Sequence, residues 1–94
     1  MKTLKFECED RYEAEKLAGL LSVQKDHAVW VAGISAMIGN EIVIQLKDRS
    51  SHAVVMKNSE AVAKLNEFLT MVGSGRTKIV SSNSAGAIAE IVVD

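Results

Sequence analysis

Glu41-Ile42-Val43-Ile44-Gln45-Leu46-Lys47 and Ala87-Ile88-Ala89-Glu90-Ile91-Val92-Val93 are the two stretches whose reading decides the fold. In the first, Ile42, Ile44 and Leu46 fall on one side, while Val43, Gln45 and Lys47 fall on the other. A period of two places one face in a core and the other in water, which is a strand. The second stretch repeats the Glu-Ile-Val run of the first, and this agreement extends outward. A slide of 48 positions puts Lys16-Leu17 on Lys64-Leu65, Leu20-Leu21 on Phe68-Leu69, Cys8 on Met56 and Asp10 on Asn58. One further residue, set in the connector Val72-Gly73-Ser74-Gly75-Arg76, also aligns Val31 with Val80, Ser35-Ala36 with Ser84-Ala85, and Glu41–Ile44 with Glu90–Val93. Connectors take such insertions at little cost. The expectation is a tandem duplication, with pseudo-repeats at 2–47 and 51–94 in one domain, 1–94. Convergence of two amphipathic helices and several Val/Ile strands would give similar polarity. It would not give the shared Lys-Leu, Ser-Ala and Glu-Ile-Val pairs.

Each half then reads as strand, helix, strand, strand. Leu4, Phe6 and Cys8 alternate with Lys5 and Glu7 in a first strand. Asp10 caps a helix that runs to about Gln24, with Glu13 at capping-box spacing and Ala14, Leu17, Ala18 and Leu21 as its apolar stripe. His27–Ala32 reads as a short strand centred on Trp30. Gly33–Asn40 reads as a connector, Glu41–Lys47 as the strongest strand, and Lys47–Ser50 as the boundary between copies. Ser51–Met56 opens the second copy, with His52, Val54 and Met56 on one face. Asn58 or Ser59 caps the next helix, whose stripe is Val62, Leu65, Phe68, Leu69 and Val72. Gly73 supplies its stop. Thr77–Ser81 and Ala87–Val93 complete the set, joined through Asn83–Gly86. The fold class is α+β: duplicated β-α-β-β units forming a mainly antiparallel sheet, with two helices on one face. A parallel pair with a right-handed crossover at each β-α-β start is the alternative.

Ninety-four residues make one domain, and a chain of this size removes only about 60–65% of its unfolded surface from water. The halves must therefore share a core. With four aromatic side chains, Phe6, Tyr12, Trp30 and Phe68, that core is aliphatic. A net charge of −1 argues against nucleic-acid binding, because phosphate-neutralising domains carry a clear basic excess. One cysteine cannot form an internal disulfide. With no long apolar run, the expectation is a cytoplasmic protein with no membrane association.

No motif assembles a reactive set, so no catalytic residue, metal site or cofactor is assigned, and an enzyme is the lesser reading. His27 and His52 have no Cys or His at zinc-ligand spacing. Gly73-Ser74-Gly75-Arg76-Thr77-Lys78 lacks the glycine spacing of a phosphate loop and enters a strand, not a helix. Arg76 and Lys78 remain as a candidate anion site. Cys8 reads as a small buried hydrophobe. The connector holding Ile34, Met37 and Ile38 is more apolar than its counterpart Ser82–Ala85. Trp30, Val43 and Val92, joined by Ala53 and Val55, should form an apolar outer sheet face. These six residues, Ile34, Met37, Ile38, Trp30, Val43 and Val92, are the candidate partner surface. The expected function is a small non-enzymatic interaction or regulatory protein that binds a protein partner and forms a homodimer. The alternative is a small-molecule binder or minimal enzyme, with His52, Glu41 and Glu90 converging between the halves.

Overall fold

The computed structural model describes residues 1–24 and 31–94. Its elements, in order, are β1 (Lys2–Glu7), α1 (Arg11–Gln24), β2 (Val31–Ile38), β3 (Glu41–Leu46), β4 (Ser51–Val55), α2 (Ser59–Gly73), β5 (Ile79–Ala85) and β6 (Ile88–Val93). The class is α+β, as the sequence implies, but the strands form two antiparallel three-stranded sheets in place of a single one. Their orders are β1-β6-β5 and β2-β3-β4. The parallel crossover pair does not form, since β1 and β2 belong to different sheets. The two sheets touch where β1 and β4 end. There Cys8 faces Met56 in an isolated antiparallel bridge. Glu9 N–H donates to the Val55 carbonyl and Lys57 N–H to the Glu7 carbonyl, both at 3.0 Å.

These two bonds match at an offset of 48 residues, with the acceptors of the next pair offset by 47. A second pair joins Cys8 N–H to the Ala87 carbonyl and Met56 N–H to the Asn40 carbonyl, each at 2.8 Å. The backbone bonds at the end of β1 thus match those at the end of β4, and the hairpin β2-β3 matches β5-β6 at an offset of 47: Ile38 opposes Glu41 as Ala85 opposes Ile88. The extra residue expected in the connector Val72–Arg76 is therefore not there. Val31 and Ile79, opposite Leu46 and Val93, still keep the offset of 48. The halves differ instead inside the strands, where β2 has two register shifts and β5 has one. Consequently Glu41–Ile44 and Glu90–Val93, alike in letters, do not occupy matching places. The correspondence between halves is one of backbone plan.

The local chemistry explains most boundaries. Asp10 caps α1, its carboxylate accepting from Glu13 N–H at 2.9 Å, and Asn58 does the same for Ala61 N–H at 2.9 Å. Each fills one of the amide donors that a helix start leaves open. The stop of α2 is Gly75, not Gly73. Gly75 has φ +78°, Arg76 N–H donates to the Met71 carbonyl and Gly75 N–H to the Val72 carbonyl. That is a Schellman motif with glycine at the left-handed position. Gly39 (φ +60°) and Gly86 (φ +59°) each take the first place of a two-residue hairpin turn, the geometry that favours glycine there. Residues 33–38 and 82–85, expected as connectors, are the outer ends of β2 and β5.

One aliphatic core joins all elements. Leu17, Leu21, Ile42, Ile44, Val54, Met56, Leu65 and Ile91 are fully buried, and both predicted helix stripes face inward. Each helix packs on the hairpin of the other half: α1 on β5 and β6, α2 on β2. The Phe6 and Phe68 rings, 5.1 Å apart between centroids, tie β1 to α2.

Candidate functional site

The expected partner surface divides into three. Ile34 is partly buried and packs against the core, so it leaves the list of surface residues. Its partner across the ladder is the buried Ile44. Met37 and Ile38 stand at the tip of the β2-β3 hairpin and are exposed, Ile38 by 75%. Trp30 lies outside the described residues, as does His27.

Val43 and Val92 both point away from the core, as the alternation requires, but they sit on different sheets. Ladder pairing fixes which residues share a face. On β2-β3-β4 the outward rows are Ile38-Glu41-Val55, Ala36-Val43-Ala53 and Gly33-Gln45-Ser51. On β1-β6-β5 they are Thr3-Val92-Ser81, Lys5-Glu90-Asn83 and Glu7-Ile88-Ala85. The first face presents five apolar side chains around Val43. The second interleaves its apolar groups with Lys5, Glu7, Glu90 and Asn83. One expected outer patch is thus one apolar face and one polar face.

His52, Glu41 and Glu90 do not converge. His52 opposes Ile44 on the inward side of β4, at the turn end of its hairpin, and Glu41 opposes Val55 at the far end on the outward side. Glu90 is on the other sheet, between Lys5 and Asn83. Among the described residues no three His, Cys, Asp or Glu side chains gather to hold a metal ion. His52 instead ends a short chain in the β3-β4 turn: its Nε2 is 3.0 Å from Ser50 Oγ, which donates to Asp48. Asp48 also accepts from Ser50 N–H at 2.8 Å. The Ser50 hydroxyl, then the Ser50 amide, hold the Asp48 carboxyl below its usual range, and His52 adds to this. The serine proton is committed to the carboxylate, so the imidazole cannot remove it, and the trio makes no nucleophile.

Arg76 and Lys78 are both exposed and follow the carbonyl end of α2, whose partial charge is negative. Cys8 is buried, and burial first, then Glu13 and Asp10, pushes its thiol up to about 11. It stays protonated at neutral pH and is a core hydrophobe.

Sequence reasoning missed Glu13. Its side chain does not complete a capping box. It is 7% exposed, and its Oε1 accepts from Val55 N–H at 2.8 Å and meets Lys16 Nζ at 3.0 Å. A carboxylate on α1 therefore closes the edge of β4. Spacing alone signals a cap at that position, and only the tertiary approach of β4 reveals the other partner. Sequence reasoning also missed a groove between α2 and β1. It is lined by Lys5, Glu7, Asn58, Glu60, Ala61 and Lys64, and Lys64 also borders a second pocket, lined by Leu4, Phe6, Phe68 and Met71 with Lys2 and Glu67. No helix among the described residues is long and apolar enough to cross a membrane. Compared with known proteins, the chain matches no protein-family model, no curated protein and no solved structure.

Proposed function

We propose that this chain is a non-enzymatic interaction protein that docks a protein partner, in the first instance a second copy of itself, on the outer face of β2-β3-β4. The observation that supports this reading is the contrast between the two outer faces. Sheets with the same strand plan need the same solvation, yet one carries Lys5, Glu7 and Glu90 and the other carries Ala36, Ile38, Val43, Ala53 and Val55. Apolar residues grouped on one face mark surfaces that other molecules cover. Glu41 and Gln45 supply a polar rim, the usual anatomy of such an interface. The exposed Met37 at the tip adds an adaptable contact.

Sedimentation or light scattering on the purified chain, with Val43→Lys and Ile38→Glu variants alongside, tests the reading. The expected wild-type mass is twice that of the chain. The variants should be folded monomers, because both side chains face outward. A wild-type monomer that also captures no protein from a native lysate would remove the proposal.

A further inference from the structure

We infer that the groove between the edge of β1 and the start of α2 binds a carboxylate supplied from outside the chain. The template is internal. In the first half the carboxylate of Glu13 is held by Val55 N–H and by Lys16, one turn along the helix. Forty-eight positions on, the cap Asp10 becomes Asn58, Lys16 becomes Lys64 and Glu13 becomes Ala61, while Val55 corresponds to Glu7. The parts that hold the carboxylate are repeated, and the carboxylate is not.

The backbone geometry is matched as well. Cys8 N–H donates to the carbonyl of Ala87, the residue before β6, so in an antiparallel ladder Phe6 and Leu4 also bond toward β6. Glu7 N–H and C=O therefore point the other way. The Glu7 carbonyl accepts from Lys57 N–H, as the Val55 carbonyl accepts from Glu9 N–H. Glu7 N–H is the counterpart of the amide that Glu13 satisfies, and among the described residues no acceptor meets it. Beside it lies a groove of about 270 Å3, with Lys5, Asn58, Ala61 and Lys64 in its wall. Lys64 Nζ donates to the Lys5 carbonyl at 2.7 Å and lies 5.4 Å from the centroid of the Phe6 ring, and an ammonium has three protons to give.

A carboxylate fits this donor set, with one oxygen on Glu7 N–H and the other on Lys64. The charge is balanced against anything larger. Glu60 and Glu7 also line the groove, and Glu7 is engaged by Lys57 at 3.8 Å. A single negative charge is accommodated, whereas a dianion such as phosphate meets two carboxylates. The source is either a free carboxylic acid or the acidic side chain of a partner protein. The site uses other residues than the docking face and does not depend on it.

The test follows the Glu7 amide by NMR in the folded protein. Sodium acetate and the peptide N-acetyl-Ala-Glu-Ala-amide are the probes, against sodium chloride at equal ionic strength. The Glu7 resonance should move downfield and saturate with a carboxylate and stay in place with chloride. The tighter of the two probes identifies the source. Lys64→Gln should weaken binding at least threefold. Glu13→Ala should open the matching site, so that the Val55 amide responds to acetate. In Ala61→Glu the new side chain should shift the Glu7 amide and abolish its response. A gain in thermal stability alone is not support, since glutamate at that place also completes a capping box with Asn58. A Glu7 amide indifferent to both probes, or an Ala61→Glu protein in which that amide does not move, overturns the inference.

Discussion

Glu13 shows how one side chain can hold a fold together without belonging to its apolar core. It is a charged group at 7% exposure, with Lys16 and Val55 N–H as partners. Removing one partner from a buried hydrogen bond leaves the other desolvated and unsatisfied, at about 1–3 kcal/mol. Glu13→Ala should cost that much in urea denaturation, and Glu13→Gln, which keeps an acceptor, should cost less. Equal losses would place the effect in the ion pair with Lys16, which both variants remove. Cys8 makes a prediction of a different kind. An ordinary thiol titrates at 9.0, whereas Cys8 in the folded protein titrates at about 11, chiefly through burial. Below pH 9 both states hold the proton, and stability is unaffected. Between 9 and 11 the unfolded chain loses it while the folded chain keeps it, so the unfolded state binds fewer protons and stability falls as pH rises. The loss reaches about 2–3 kcal/mol by pH 11. The slope of stability against pH over that window should be shallower in Cys8→Val. Parallel curves for the two proteins would show that the thiol does not titrate differently on folding.

At the scale of elements, what the sequence reveals depends on whether periodicity survives. The helices and the strands β1, β3, β4 and β6 keep their periods, and their inward residues were legible: Phe6, Ile42, Ile44, Val54 and Ile91 are all buried. In β2 the pairing skips a residue between Val31 and Gly33 and again between Ile34 and Ala36. Each bulge places two residues opposite one and breaks the alternation, so Gly33–Ile38 reads as a connector when it is strand. The same bulges misplace the repeat, because identical letters align at an offset that the ladders do not use. The outward placement of Ile38 and Val43 was legible, because it follows from local alternation. The grouping of Val92 with them failed because the assignment of strands to sheets is set by long-range pairing. Deleting Ser35, an extra residue of the second bulge, should leave inward and outward positions unchanged. That protein should unfold cooperatively. Deleting Met37 shifts the hairpin by one residue and turns core side chains outward, so loss of cooperative unfolding is expected there. Arg49 offers a further test in the β3-β4 turn. It has φ +73° after the turn closed by Arg49 N–H on the Leu46 carbonyl. A side chain in this left-handed region costs about 1–2 kcal/mol, part of which glycine recovers. Arg49→Gly should raise stability by up to about 1 kcal/mol in thermal denaturation, and a loss would assign Arg49 a contact worth more than its backbone strain.

At the scale of the molecule, spatial and sequential neighbours divide differently. The sheet β2-β3-β4 with α2 is continuous in sequence, a meander of hairpins followed by a helix. Its counterpart is assembled from the two ends of the chain, β5 and β6 with β1 and α1. Lys2 is paired with Val93, so the ends of the described chain lie side by side. Read in space, the protein is two β-β-β-α lobes, and the order β-α-β-β is that arrangement entered one strand early. The lobes are not independent, since the Phe6 ring of one meets the Phe68 ring of the other and the buried apolar residues among those described form one cluster. A permuted chain should therefore fold if the lobes are the true units. Joining Asp94 to Met1 through a short Gly-Ser linker and opening the chain between Arg76 and Thr77 keeps the Schellman motif of α2 intact. It also makes both lobes continuous. Exposed connectors tolerate such openings, and closing paired ends costs little entropy. The permuted protein should match the wild type in its amide spectrum outside the new junctions, with a loss on the order of 1 kcal/mol, or about 4–8 °C in Tm. If it collapses without fixed packing, the link from α1 through residues 25–30 to β2 is what brings the lobes together, and the spatial division into two β-β-β-α units has no energetic meaning.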